Sequence, residues 1–120
     1  MSYLYVALGG ALGSVLRYAF GKIKFDSLFP IQTMCINIVG SLLIGVITGF
    51  ILKNHQDSTF LISFFKVGFC GGFTTFSSFS LDCITLMQKG YWFQSCLYII
   101  LSLSISFIVL YGAMEFVTSF

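Results

Sequence analysis

Charge is what this sequence is shortest of: among 120 residues there are only six Lys or Arg and four Asp or Glu. Soluble domains carry about a quarter of their residues as these four types. Ten charges cannot coat a globule of this size with water-compatible surface, which excludes a small soluble enzyme. Histidine occurs once, at His55 in a polar loop, where a solvated role is expected rather than ligation. No Ser/His/Asp set, paired carboxylates, phosphate loop or HExxH is present, so no enzyme chemistry is expected. The four cysteines (Cys35, Cys70, Cys83, Cys96) lie far apart inside apolar runs without CxxC spacing. They read as small apolar fillers rather than as a metal or disulfide framework. The net charge of +2 comes from scattered basic residues, with no patch of the kind that binds nucleic acid.

Apolar sequence takes the place of charge. Hydrophobic residues make up 58% of the chain and its mean hydropathy is +0.99, the composition of an integral membrane protein. At about 20 residues per helical crossing, four spans use nearly the whole length. They are placed at about 3–21, 31–52, 60–87 and 92–117, forming one four-helix membrane domain over 1–120. The only proline, Pro30, falls just before span two, where it can start a helix without breaking one. The first apolar run has no basic cluster before it and no A-x-A site, so it is expected to be retained as a span rather than cleaved as a leader. Barrel strands would alternate every second residue, whereas these runs are continuously apolar, so the fold class is all-α. Lys22, Lys24 and Lys89 share one side of the membrane, with Arg17 near it, while Lys53 and Lys66 lie toward the other. That bias is weak. It suits both a chain that inserts in either orientation and a small protein with one modest preference.

Span three is not uniform. Its middle reads GFCGGFTTFSSFS, residues 68–80. Adjacent glycines at Gly71 and Gly72, followed by two β-branched threonines, favour a break. A break at that depth frees backbone groups that lipid cannot satisfy, and such breaks survive where they bind ions or line a cavity. The alternative is a kinked helix whose Ser and Thr bond back to their own backbone. Phe73, Phe76 and Phe79 recur every third residue, as one aromatic face. Ser77, Ser78 and Ser80 interleave with them. Phenyl rings have positive edges, so ring edges beside hydroxyls favour an anion, although packing alone also explains aromatic stripes. Asn37 in mid-span two needs a partner or a pathway. Ser95, Tyr98, Ser102 and Ser106 form one stripe on span four, with Ser104 off it. Small-xxx-small pairs recur at Gly9/Gly13, Ser41/Gly45/Gly49 and Gly68/Gly72, allowing close helix approach in lipid. Four short helices cannot easily enclose a route, so a homo-oligomer, most simply a dimer, is expected.

GALGSVLRY (10–18), NIVGS (37–41) and GFCGGFTTFSSFS (68–80) resemble, in order and over the whole chain, the CrcB/Fluc family of fluoride channels. The resemblance implies four transmembrane helices with the third broken mid-membrane, in an antiparallel dual-topology homodimer with two fluoride pathways. It also implies a structural, untransported Na+ at the dimer centre, held by the backbone carbonyls of Gly71 and Thr74. Thr75, Phe76, Phe79, Ser77, Ser78, Ser80 and Asn37 would line the fluoride pathway, with Arg17 toward the vestibule. Asp82 would stand with Arg17 at the vestibule, where relatives often carry the longer Glu, and Tyr98 and Ser102, which match in character, would join the fluoride pathway. Pairing with a paralogue is left open by one sequence. The implied setting is the cell membrane of a bacterium, with fluoride and the lipid bilayer as partners and no nucleic acid. Two other readings are a small multidrug-type proton-coupled efflux transporter and a non-transporting assembly protein. The former is expected to carry an acid in span one, where this chain has Arg17; the latter leaves the hydroxyl row unexplained.

Overall fold

A computed structural model describes residues 2–23, 30–54 and 59–119. Lys24 and His55 lie outside these. Among the described residues every regular element is helical: α1 (Ser2–Gly21), α2 (Ile31–Asn54), a π-helical segment (Leu61–Cys70), α3 (Gly71–Phe73), α4 (Phe76–Gln88) and α5 (Trp92–Ser119). Three of these, α1, α2 and α5, are long and apolar enough to cross a membrane. The stretch from Leu61 to Gln88, where the third span is expected, is the one built from shorter pieces.

Helix boundaries follow local chemistry. The Pro30 carbonyl accepts from Met34 N–H at 3.2 Å, so the proline sits where its missing N–H is not needed. α4 ends in a Schellman turn: Gly90 has φ of 88°, and the N–H groups of Gly90 and Tyr91 close on the carbonyls of Met87 and Leu86 at 3.0 and 2.9 Å.

Helix pairing runs through the small residues. α1 packs along the π segment and α3, and α2 along α5. A Cβ at Gly9 would collide with the Phe64 carbonyl, and one at Gly13 with the Phe69 carbonyl. The spacing of four on α1 thus meets a spacing of five on the π segment, one turn of each helix type. A Cβ at Gly72 would lie 2.5 Å from the Gly10 carbonyl oxygen, and one at Gly45 2.6 Å from that of Leu110. These faces are filled within the chain and are not its unpartnered surface. The buried cluster of Phe79, Cys83, Leu86 and Tyr98, with Met34 and Ile99 against it, joins α4 to α5 and α2.

The glycines do not end the helix. Gly71 and Gly72 are helical in α3, and helical geometry stops after Phe73. Thr74 (φ −83°, ψ 155°) and Thr75 (φ −150°, ψ 123°) are extended, and helix resumes at Phe76. Packing of Gly72 on Gly10 offsets the intrinsic cost of glycine in a helix. Phe73 is therefore separated from the aromatic face to which its spacing assigned it. It stacks on Phe69 (6.1 Å, 6°), while Phe76 pairs with Phe79 at 5.8 Å.

Candidate functional site

Two extended residues between helices leave backbone groups without helical partners, and side chains from α1 and α2 meet them. Asn37 on α2 accepts from Thr75 N–H at 3.0 Å through Oδ1 and donates Nδ2–H to the Thr75 carbonyl at 3.3 Å. Arg17 on α1 donates Nε–H to the Gly72 carbonyl at 3.1 Å. The half-buried Arg17 side chain is thus engaged by the backbone of the segment that follows the π helix. The Thr75 hydroxyl caps α4 by accepting from Ser78 N–H at 3.2 Å. Thr74 does bond back, its N–H and its hydroxyl both donating to the Cys70 carbonyl at 2.9 and 2.8 Å, yet its own backbone stays extended.

Two cavities flank this interruption, and Thr75 lines both. The first, of about 240 Å³, presents Asn37, Ser41, Thr74, Ser102 and Ser106 opposite the rings of Phe76 and Phe79. Phe76 is 76% exposed, and Phe79 is 8% exposed against the Tyr98 ring at 5.1 Å. Ser102 is buried, and its hydroxyl has no hydrogen-bond partner. The second cavity, of about 390 Å³, brings together Arg17, Lys22, Gln32, Thr33, Ser78 and Asp82. Its polar lining consists mainly of basic groups and hydroxyls, with a single carboxylate among the described residues. Lys22 Nζ lies 4.9 Å over the Tyr18 ring beside it.

Of the residues singled out in the sequence, the first cavity gathers Asn37, Thr75, Phe76, Phe79 and Ser102, and the second Arg17, Ser78 and Asp82. Tyr98 lines neither. It is fully buried behind Phe79 and donates its hydroxyl to Asp82 at 3.4 Å. Ser95, on the same face of α5, donates to the Cys83 carbonyl at 3.0 Å. Ser77 turns to the surface, 3.2 Å from the Thr75 hydroxyl, and Ser80 lines neither cavity. Gly71 is exposed, and a Cβ there would meet nothing within 4 Å. Thr33 and Ser41 were not among the candidate pathway residues. They lie four residues before and after Asn37, on one helix face, and that spacing was the available signal.

The chain matches the family model described as CrcB-like protein, Camphor Resistance (CrcB), over residues 4–114. It is 39% identical over 119 residues to a protein of Shewanella denitrificans named fluoride-specific ion channel FluC, covering 97% of this chain and 95% of that one. A Flavobacterium psychrophilum protein of the same name is 46% identical over 101 residues, covering 82% of each. An Azobacteroides pseudotrichonymphae protein, also so named, is 42% identical over 102 residues, covering 82% of this chain and 81% of that one.

Proposed function

Because the chain belongs to the CrcB-like family, we propose that it is a fluoride-selective passive ion channel that lets cytoplasmic fluoride leave the cell and so limits its toxicity. It is a multi-pass membrane protein and not an enzyme. The observation that carries the reading is the meeting of a basic, hydroxyl-rich cavity with an aromatic-edged one at Thr75.

Fluoride is small and holds its water tightly, so a selective route must replace that shell with donors, as cation filters do with carbonyls. Arg17 and Lys22 make the second cavity, which faces the vestibule in this reading, attractive to an anion. Hydroxyls at Ser78, Thr75, Ser102 and Ser106 then supply hydrogen bonds, and the edges of Phe76 and Phe79 supply positive potential where no hydroxyl reaches. No pump is needed: a monovalent anion gains about 2.3 kcal/mol per 100 mV on leaving a negative interior. The interruption falls within the membrane, and two antiparallel copies form the channel. Support comes from the shape of one chain, 48 × 32 × 19 Å, which in its thin direction is about two helices thick.

The Na+ of the proposed dimer fits the residues present. Thr75 N–H, which would serve the Gly71 carbonyl in a continuous helix, goes to Asn37 instead, and Gly71 faces open space. Among the described residues no His, Cys, Asp or Glu group could hold a metal, so oxygen donors from the backbone suit a hard cation. The carbonyls of Gly71 and Thr74 would hold it, and its charge would favour anions nearby.

A proton-coupled drug transporter would need a carboxylate in α1, and α1 has none. Purified protein in liposomes loaded with potassium fluoride should release fluoride when valinomycin is added, read by a fluoride electrode. Absence of release under a maintained potassium gradient would refute the channel reading.

A further inference from the structure

The geometry points to Arg17 as a positioning residue that holds the interruption of the third span in register, through its Nε–H rather than through its charge. This role rests on the channel reading for its consequence but not for its geometry.

In an unbroken helix the Gly72 carbonyl would accept from Phe76 N–H four residues on. The extended Thr74 and Thr75 carry Phe76 away, and the Gly72 carbonyl accepts from Arg17 Nε at 3.1 Å instead. An unsatisfied carbonyl in hydrocarbon costs several kcal/mol, so the gain from supplying any N–H donor there is large. Gly9, Gly13 and Arg17 follow one another at a spacing of four, so the face that brings α1 against the π segment also aims Arg17 at this carbonyl. From the other side α2 supplies Asn37 on both backbone groups of Thr75, and Gly40, where a Cβ would collide with the Thr74 methyl. The two extended residues are thus held directly from α2, and from α1 through the Gly72 carbonyl two residues before them. Loosening the α1 contact would let Thr75, which lines both cavities, drift from its place.

Three variants separate bond from charge. In Gln, Nε2 is attached to Cδ just as Nε is in Arg, so Arg17→Gln keeps a donor at the same reach and removes the charge. Arg17→Lys keeps the charge but puts a methylene where the donor was, and Arg17→Met keeps neither. Hydrogen exchange over residues 68–80, measured on protein in nanodiscs, reports local opening of the segment. Fluoride efflux from liposomes is measured in parallel. The Lys and Met variants should exchange about tenfold or more faster than wild type and lose about tenfold or more in flux. The Gln variant should keep wild-type protection, with flux reduced only by the charge it removes from the second cavity. Wild-type protection in the Lys variant, or protection lost in the Gln variant, would overturn the assignment. Should Lys and Met fail to fold, the Gln variant decides: protection kept upholds the bond, and protection lost overturns it. A wild-type protein that carries no fluoride would sink the channel reading while leaving the exchange comparison intact.

Discussion

Phe76 and Phe79 sit one helical turn apart yet answer to different forces. Phe79 is packed on Tyr98 in the α4–α5 core, whereas Phe76 stands 76% exposed at the cavity. Phe76→Ile should therefore leave thermal stability within about 0.5 kcal/mol and slow fluoride efflux, because the ring edge is lost while bulk is largely kept. Phe79→Ile should slow efflux as well and also destabilise by about 1–3 kcal/mol. Melting curves read beside fluoride-electrode traces check both variants. Wild-type flux in each would remove the ring-edge role. Asn37→Ala should cost about 1–3 kcal/mol for each Thr75 backbone group it strands, and should lose flux together with stability.

Residues whose chemistry depends on helical spacing were the legible ones: Ser95, Tyr98 and Ser102 fall on one buried face of α5, and Ser104 is exposed off it. Ser77, Ser78 and Ser80 stand out in the sequence only by their density. Successive helical positions diverge in direction, so Ser78 reaches the second cavity while Ser77 turns to the surface. What no local pattern carries is the long-range bonding of Arg17 to Gly72, 55 residues away.

Among elements, the glycines on α1 divide into two kinds. Gly9 and Gly13 leave no room for a Cβ beside the π segment, whereas Gly21 at the end of α1 has nothing within 4 Å. Gly9→Ala or Gly13→Ala should destabilise by about 1–3 kcal/mol, and Gly21→Ala should be close to neutral. Thermal unfolding in detergent distinguishes them, and equal melting temperatures would contradict the close packing of α1 on the π segment. The apolar run Leu61–Cys70 announces a helix but not its winding, because the same residues satisfy a period of 3.6 or a wider π turn. The non-helical residues, Thr74 and Thr75, lie within the stretch 71–75 where the sequence favours a break, but the glycines do not make it: tertiary packing holds Gly71 and Gly72 helical, and the threonines take the extended geometry with Asn37 bonding Thr75 and Thr74 bonded back to Cys70.

At the scale of the whole molecule, the small-residue faces are consumed inside one chain, so a second copy must use other surface. The exposed Gly71 and the thin shape of the chain are where the proposed pairing draws its support. Mass measurement of the purified protein in detergent should give two chains per particle, and a monodisperse monomer that still conducts would contradict the dimeric route. Exchanging sodium for a bulky organic cation should reduce fluoride flux, and indifference to the exchange would remove the central ion. Composition was enough to make the chain an all-helical, multi-pass membrane protein. Assembly lay beyond it, because dimer contacts in lipid are made by apolar groups that look like lipid-facing ones.

The most direct test is the reversal potential of the purified protein in a planar bilayer, with fluoride, chloride and proton gradients imposed separately. A fluoride-selective passive channel would shift by about 59 mV per tenfold fluoride gradient and stay near zero under chloride or proton gradients alone. A potential that follows chloride or pH, with no shift under fluoride, would contradict it.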